Sequence, residues 1–260
     1  MSHKYPHPET GEKVLSSVTQ IISDATDKSA PLSSWAANQV VEWIRKNCVA
    51  AVDYPENAAR DWYKVWDEDL EQARTHFRDV SQEALDAGSE THHAIEDYLN
   101  ALLAGKDIKE KIIRTLSGQA ANAFGAFLAW ADEHELTPIA TERTVYGATD
   151  GYGWAGTLDL VCRLEGKKYV IDFKTSRACY QEYRYQVAAY RWAIGKDLFF
   201  TDHKGRPEGC GILRLDKETG EPEWKDTSKT YEKDLRVFQA MVRLYMERHP
   251  RIAKRCKVEP

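Results

Sequence analysis

The chain has no Cys-x-x-Cys pair, and its five cysteines, Cys48, Cys162, Cys179, Cys210 and Cys256, are odd in number and scattered. That pattern speaks against a disulfide framework, a zinc ribbon and a cysteine-bound iron–sulfur cluster. No apolar run approaches the roughly 20 residues of a membrane helix, so no membrane partner is expected. Met1-Ser2-His3-Lys4-Tyr5-Pro6 lacks the apolar core of a secretory signal and the Arg-rich character of a transit peptide. The expectation is a cytoplasmic protein of a prokaryote-like compartment. There is no internal repeat and no low-complexity segment. Positive charge is not in excess either: the formal net charge is -5. This argues against coating nucleic acid by bulk electrostatics. It leaves room for an acidic site beside a local basic groove.

What is present is an ordinary globular balance, 42% hydrophobic and 30% charged over 260 residues. That is enough for one sizeable core. The spacing predicts a helical first half, residues 1–135, and a sheet-bearing second half, residues 136–260, within a single domain of class α/β (α+β). Helices are expected from Pro31 through Ile44, around Trp62–Leu70, from about Val80 to a stop at Gly105, and from about Lys109 to His134. After Pro138 the period changes to two. A further helix is expected over Glu182–Ile194, a strand over Ile212–Leu215, a turn at Glu218–Glu221, a short strand near Glu223–Lys225 and a last helix over about Lys229–Arg248.

The stretch from Gly156 to Thr175 organises the chain. It reads as two strands joined by a charged turn, Glu165-Gly166-Lys167-Lys168. Asp172 and Lys174, two apart on a strand, point to the same side. Pairing through the turn brings Asp159 towards Asp172. Two carboxylates that close repel unless a cation lies between them. Oxygen ligands suit Mg²⁺ or Mn²⁺. The plain alternative is a solvated surface hairpin, and spacing alone leaves the two readings even.

Other residues stand out around it. His92 and Glu96 share a helix face, one turn after Gly88; an isolated histidine there is more often structural. Glu142, on the strand before the hairpin, is a candidate third acid. Gln186 and Tyr190 are one helical turn apart among apolar neighbours, and a buried amide needs partners. Ser17, Thr19 and Lys28, with Trp35 nearby, offer groups that suit single-stranded nucleic acid, although Trp35 is more readily a core residue.

Taken in order, these residues form a pattern: Gly88 to His92, Gly156-Thr157-Leu158-Asp159, Asp172-Phe173-Lys174, then Gln186 to Tyr190. This resembles the PD-(D/E)XK nuclease superfamily and, within it, the RecB-like branch. It is similar in particular to the group of mitochondrial genome maintenance exonucleases and their phage and bacterial relatives, through Ser17-Val18-Thr19 and Ile171 to Ser176. The resemblance spans roughly residues 16–248. The proline of the superfamily's name is replaced here by Leu158.

The resemblance implies a restriction-endonuclease-like core, a central mixed sheet flanked by helices, with the helical N-terminal part as a DNA arch. It implies a metal-dependent deoxyribonuclease with one or two Mg²⁺ or Mn²⁺ ions. The expected metal ligands are His92, Asp159, Asp172 and the carbonyl of Phe173. The expected catalytic set is Lys174, Asp172, Asp159, Glu142, Gln186 and Tyr190. Ser17, Thr19, Thr175, Ser176 and Arg177 are the expected DNA contacts. The cysteine spacing does not match the iron–sulfur relatives, and no cluster is expected. The implied activity is a single-strand DNA exonuclease of replication, recombination or repair in a bacterial or phage-infected cell. Its DNA would carry free ends, with replication or recombination proteins as partners. The alternatives are a structure-specific or recombination endonuclease, and a non-catalytic nucleic-acid-binding subunit of the same fold.

Overall fold

A computed structural model of the protein describes residues 5–7, 10–26, 29–50, 63–116, 118–196 and 205–258. The expected contributions of Lys28 and Trp62 lie outside these residues. The chain parts into two compact units, one of Met1–Thr26 with Gly88–Pro260 and one of Asp27–Ala87.

The larger unit is built on a seven-stranded mixed sheet. Its path runs β1 (Tyr5–Pro6), β2 (Lys13–Ser17), β6 (Tyr152–Leu164), β7 (Lys167–Lys174), β8 (Gly209–Leu215) and β9 (Pro222–Asp226), and β5 (Thr137–Thr149) pairs with β6. β6 is antiparallel to both β5 and β7, β7 is parallel to β8, and β8 is antiparallel to β9. The β6–β7 turn is tighter than the charge pattern suggests. Its two residues, Glu165 and Gly166, have φ of 49° and 83°. Positive φ at both central positions matches the twist of paired antiparallel strands.

Helices cover both faces. One face carries α1 (Val18–Ala25), α6 (Glu182–Ile194) and α7 (Tyr231–Arg248), packed in a cluster with Leu158, Val161, Val170 and Ile212. The other carries α4 (Lys109–Ile113), α5 (Gly118–Glu133) and the later turns of α3 (Asp67–Leu103). There Ile95, Leu99, Phe124 and Phe127 pack with Leu160, Ile171, Phe173 and Leu213. From Leu160 onward β6 alternates between the clusters, as does β7, with the two-residue strand period. Leu158, two residues before Leu160, packs in the first cluster instead, so the alternation breaks at Asp159. α6 spans the residues expected of it. The helix expected from Lys109 to His134 is instead two, because Gly118 takes a φ of 56° and opens a new helix there. α8 (Pro250–Arg255) follows α7 and was not expected.

The smaller unit holds α2 (Ser29–Asn47), the two-residue pair β3 (Val49–Ala50) and β4 (Tyr63–Lys64), and the first turns of α3. α3 runs unbroken from Asp67, so the helix expected around Trp62–Leu70 and the one expected from about Val80 are a single helix among the described residues. Asp67, Glu68 and Asp69 occupy its first turn, where the helix dipole favours acids.

Candidate active site

β6 has two edges, and β5 runs along one of them almost throughout. The other edge is shared. β2 pairs with it at Trp154 and Ala155, and β7 pairs with it from Leu160 to Leu164. Gly156-Thr157-Leu158-Asp159 is paired by neither. The next rung of the β6–β7 ladder would set Asp159 opposite Asp172, but pairing stops at Leu160–Ile171. The strands fork there. The main-chain N–H of Phe173 donates to the Asp159 side chain, at 2.6 Å to Oδ2. Backbone pairing is thus exchanged for a carboxylate held at the mouth of the fork.

Asp172 is fully buried beside it. Lys174, two residues on, places Nζ 2.5 Å from Asp172 Oδ2. Gln186 Nε2 donates to Asp172 Oδ1 at 2.9 Å and to the Tyr190 hydroxyl at 3.2 Å. The buried glutamine therefore has its partners, as such an amide requires. The Tyr190 ring lies against Gly156, where a Cβ would fall 2.5 Å from Cε1. Gly156 is thus required by the close approach of a ring and not by its backbone angle. Gly88 similarly faces Thr175 Oγ1, 2.9 Å from an added Cβ.

His92 comes to the fork from α3. Its Nδ1 is 3.9 Å from Asp159 Oδ2, and its ring stands edge-on to Phe173. Burial, with Lys174 nearby, lowers its pKa to about 4, so the imidazole is neutral near pH 7 and able to act as a ligand. Glu142 lies opposite Asp159, between the paired rungs Thr141–Leu160 and Arg143–Leu158. Its φ of 47° is in the left-handed region, which costs a non-glycine residue roughly 1 kcal/mol or more. Burial and the charges of Asp159, Glu96 and Asp172 raise its carboxyl to about 7. Burial raises Asp172 to about 6, with Lys174 opposing and Asp159 adding to the rise. Asp159 is raised by burial as well. Burial alone would lower the Lys174 ammonium, but Asp172 and Asp159 outweigh it and the net shift is upward.

Four carboxylates, Glu96, Glu142, Asp159 and Asp172, therefore act on a small volume against one ammonium. Oxygen donors with one imidazole are the set that a divalent cation takes. Among the described residues no three His, Cys, Asp or Glu side chains already enclose such an ion. Lys174 and the Phe173 amide engage the two aspartates instead. In kind and charge, the donors fit a divalent metal.

The expected DNA contacts are placed less uniformly. Thr175, Ser176 and Arg177 follow Lys174 directly, with Arg177 exposed. Ser176 Oγ donates to the Ala178 carbonyl. Ser17 is buried and caps α1, accepting from Gln20 N at 3.0 Å, while Thr19 is exposed and bonds Ser17. Tyr183 did not stand out in the sequence as more than a helix-face residue, yet its ring lies under Lys174, 4.9 Å from Nζ. Its signal was its place one turn before Gln186 on the same face. A separate cavity of about 280 Å³ lies around the C-terminal end of α6, lined by Arg191, Trp192, Lys196, Arg206 and Tyr231 among others.

A mixed sheet that forks at two aspartates, with a lysine two residues after the second, defines the PD-(D/E)XK class of nuclease folds. The sequence profile of the PD-(D/E)XK nuclease superfamily matches residues 57–256, and the chain belongs to that superfamily. Members generally use divalent metal ions. No curated protein matches the chain. Among solved structures it is similar to a Eubacterium rectale protein carrying the provisional name exonuclease. The identity is 15%, with 67% of this chain and 70% of that one covered and a TM-score of 0.40. It is also similar to SSO0001, at 15% identity and a TM-score of 0.29, with 47% of this chain covered. The chain spans 56% of the length of SSO0001. Both likenesses are remote and carry no weight for function. No helix among the described residues is long and apolar enough to cross a membrane.

Proposed function

We propose that the protein is a metal-dependent nuclease that removes nucleotides from single-stranded DNA with free ends, in replication, recombination or repair. The observation that carries this reading is the fork itself: Asp159 and Asp172 facing each other at an unpaired rung, with Lys174 against Asp172.

Asp159, Asp172, His92 and the Phe173 carbonyl would hold Mg²⁺ or Mn²⁺, with Glu142 positioned to serve a second ion. A metal held by these residues would supply an acidified water and offset charge gathering on the phosphate. Lys174, held by Asp172, is a fixed cation that can orient the attacking water and stabilise developing negative charge. Gln186 and Tyr190 keep Asp172 in one orientation from the helix side. Thr175, Ser176 and Arg177, next along the chain, would contact the DNA backbone, with Ser17 and Thr19 supporting the strand that flanks the fork. The requirement for free ends is assigned to the helices of the N-terminal half.

The test uses end-labelled linear oligonucleotides, 5′ and 3′, single- and double-stranded, beside a covalently closed single-stranded circle, all with Mn²⁺. The expected result is shortening of the linear single strand and an intact circle. Cutting of the circle would establish an endonuclease. Binding without metal-dependent turnover would make the protein a binding subunit.

A further inference from the structure

Between Lys174 and α6 the chain carries two tyrosines that the reaction as described leaves unused. Tyr183 is half-buried beneath the lysine, with its ring centroid 4.9 Å from Nζ. Tyr180 packs edge-on against Tyr183, at 5.7 Å between centroids and 78° between planes. The Tyr180 carbonyl accepts from Tyr183 N at 3.3 Å, which ties it to the first turn of α6. That helix also carries Gln186 and Tyr190. The position of the Tyr180 ring is therefore set by the same element that orients Asp172.

Tyr183 is shielded, but Tyr180 is 46% exposed. A lone exposed apolar side chain is ordinary and needs no explanation. In the sheet-bearing unit, the exposed large aromatics among the described residues are Tyr146 and Tyr180. Tyr146 lies on β5, while Tyr180 adjoins the lysine through one ring contact. An aromatic ring with few rotatable bonds, held in place and open to solvent beside a phosphate-handling cation, is a surface on which an unpaired base stacks.

We propose that Tyr180 is a stacking platform for the nucleobase next to the scissile phosphate, and that Tyr183 is a positioning residue that keeps platform and Lys174 in register. This deepens, and rests on, the nuclease reading above. It identifies the substrate class by chemistry: a strand whose bases are free of partners, with little preference among them because every base offers a flat face. A base inside a duplex is already stacked on both sides and does not reach the ring.

The experiment is digestion of single-stranded oligonucleotides with Mn²⁺, each carrying one abasic site at successive distances from the cleaved bond. In the wild-type protein, one abasic position should lower kcat/KM about 5- to 100-fold, the loss of one base–aromatic stack. Tyr180→Ala should lose a similar factor on the intact strand, mainly in KM, and become indifferent to the abasic site. Tyr180→Trp should restore both the rate and the sensitivity. Tyr183→Leu should lower kcat with KM little changed, and Tyr183→Phe, which keeps the ring under Lys174, should recover most of that loss. Wild-type kcat/KM in Tyr180→Ala, or an abasic effect that persists there, overturns the platform while leaving the nuclease reading intact. No cleavage by the wild-type protein overturns both.

Discussion

Between Asp27 and Ala87, the buried hydrophobic side chains among the described residues are Cys48 and Ala73. In the unit that carries the sheet, they form two clusters, one on each face of β6 and β7. Leu32, Val41, Trp66, Leu70 and Leu85 of the smaller unit are exposed. A helix with so little burial relies on local propensity and on whatever else covers it, since most helical stability in proteins comes from packing. The fork has the opposite situation. Asp172 sits at 0% exposure between packed layers, and its partners are fixed by β7 and α6. A site that must hold charged groups to within fractions of an ångström is best built on packed elements, and the fork lies in the unit that carries both buried clusters.

The contrast can be broken most directly at the fork. Asp172→Asn or Lys174→Ala should lower metal-dependent cleavage by at least about 100-fold, in line with losing a preorganised charge at the reacting phosphate. The circular dichroism spectrum should stay that of the wild type. Near-wild-type rates in either variant would remove the fork from the chemistry. Next in size is a pair of truncations. Leu158→Ala, at 0% exposure, should cost about 2–5 kcal/mol in a urea melt. Leu32→Ala, 57% exposed in the smaller unit, should fall within about 0.5 kcal/mol of wild type. Equal losses would erase the difference between the units.

Gly156→Ala tests the close approach of Tyr190. The added methyl must displace that ring, and overpacking of this kind costs about 1–3 kcal/mol. Cleavage should drop with stability, because Tyr190 and Gln186 share the support of Asp172. A silent Gly156→Ala would show that the ring yields freely. The smallest expected effect is a pH dependence of the metal-free protein. Asp172 and Glu142 are raised in the folded state, to about 6 and about 7. Each binds its proton more tightly when folded, so its contribution is fully present below the unfolded carboxyl range and is lost as pH rises through these values. His92, lowered to about 4, acts in the opposite sense over much of this range. The two carboxyls are thus set against one imidazole, and the melting temperature should decline only modestly between about pH 4 and 7. Glu142→Gln should flatten the upper part of the decline, and a divalent cation should reverse it. A wild-type slope in Glu142→Gln would argue against the crowding of charge at the fork.

Much of this was readable beforehand, for reasons specific to each element. α6 follows a clean helical period over thirteen residues, and β6 and β7 alternate around a turn whose glycine is explicit. Asp159, Asp172, Lys174, Gln186, Tyr190 and His92 stand out in the sequence by order and spacing, and the fold brings them to one fork. What escaped was governed by contacts distant in sequence. β1, β3 and β4 are two residues long and have no period to read. The continuity of α3 between Leu70 and Val80 has no signal in the sequence, because a largely exposed stretch of helix carries no strong apolar stripe. In the sequence Tyr183 is one more apolar residue of α6; the fold alone sets Lys174 above its ring.

By itself the sequence determined the local structure around the hairpin, the chemical kinds of the site residues and the order in which they occur. Those depend on side-chain period and turn conformation, which act over a few residues. Only the tertiary structure decided that β2 and β7 divide one edge of β6 and leave Gly156–Asp159 unpaired on that edge. That division sets Asp159 against Asp172, takes a backbone hydrogen bond out of the ladder, and leaves burial and like charge to raise the carboxyls together. Such shifts arise from desolvation and from neighbours many residues away, so spacing along the chain could name the groups but not the electrostatic state in which the fold holds them.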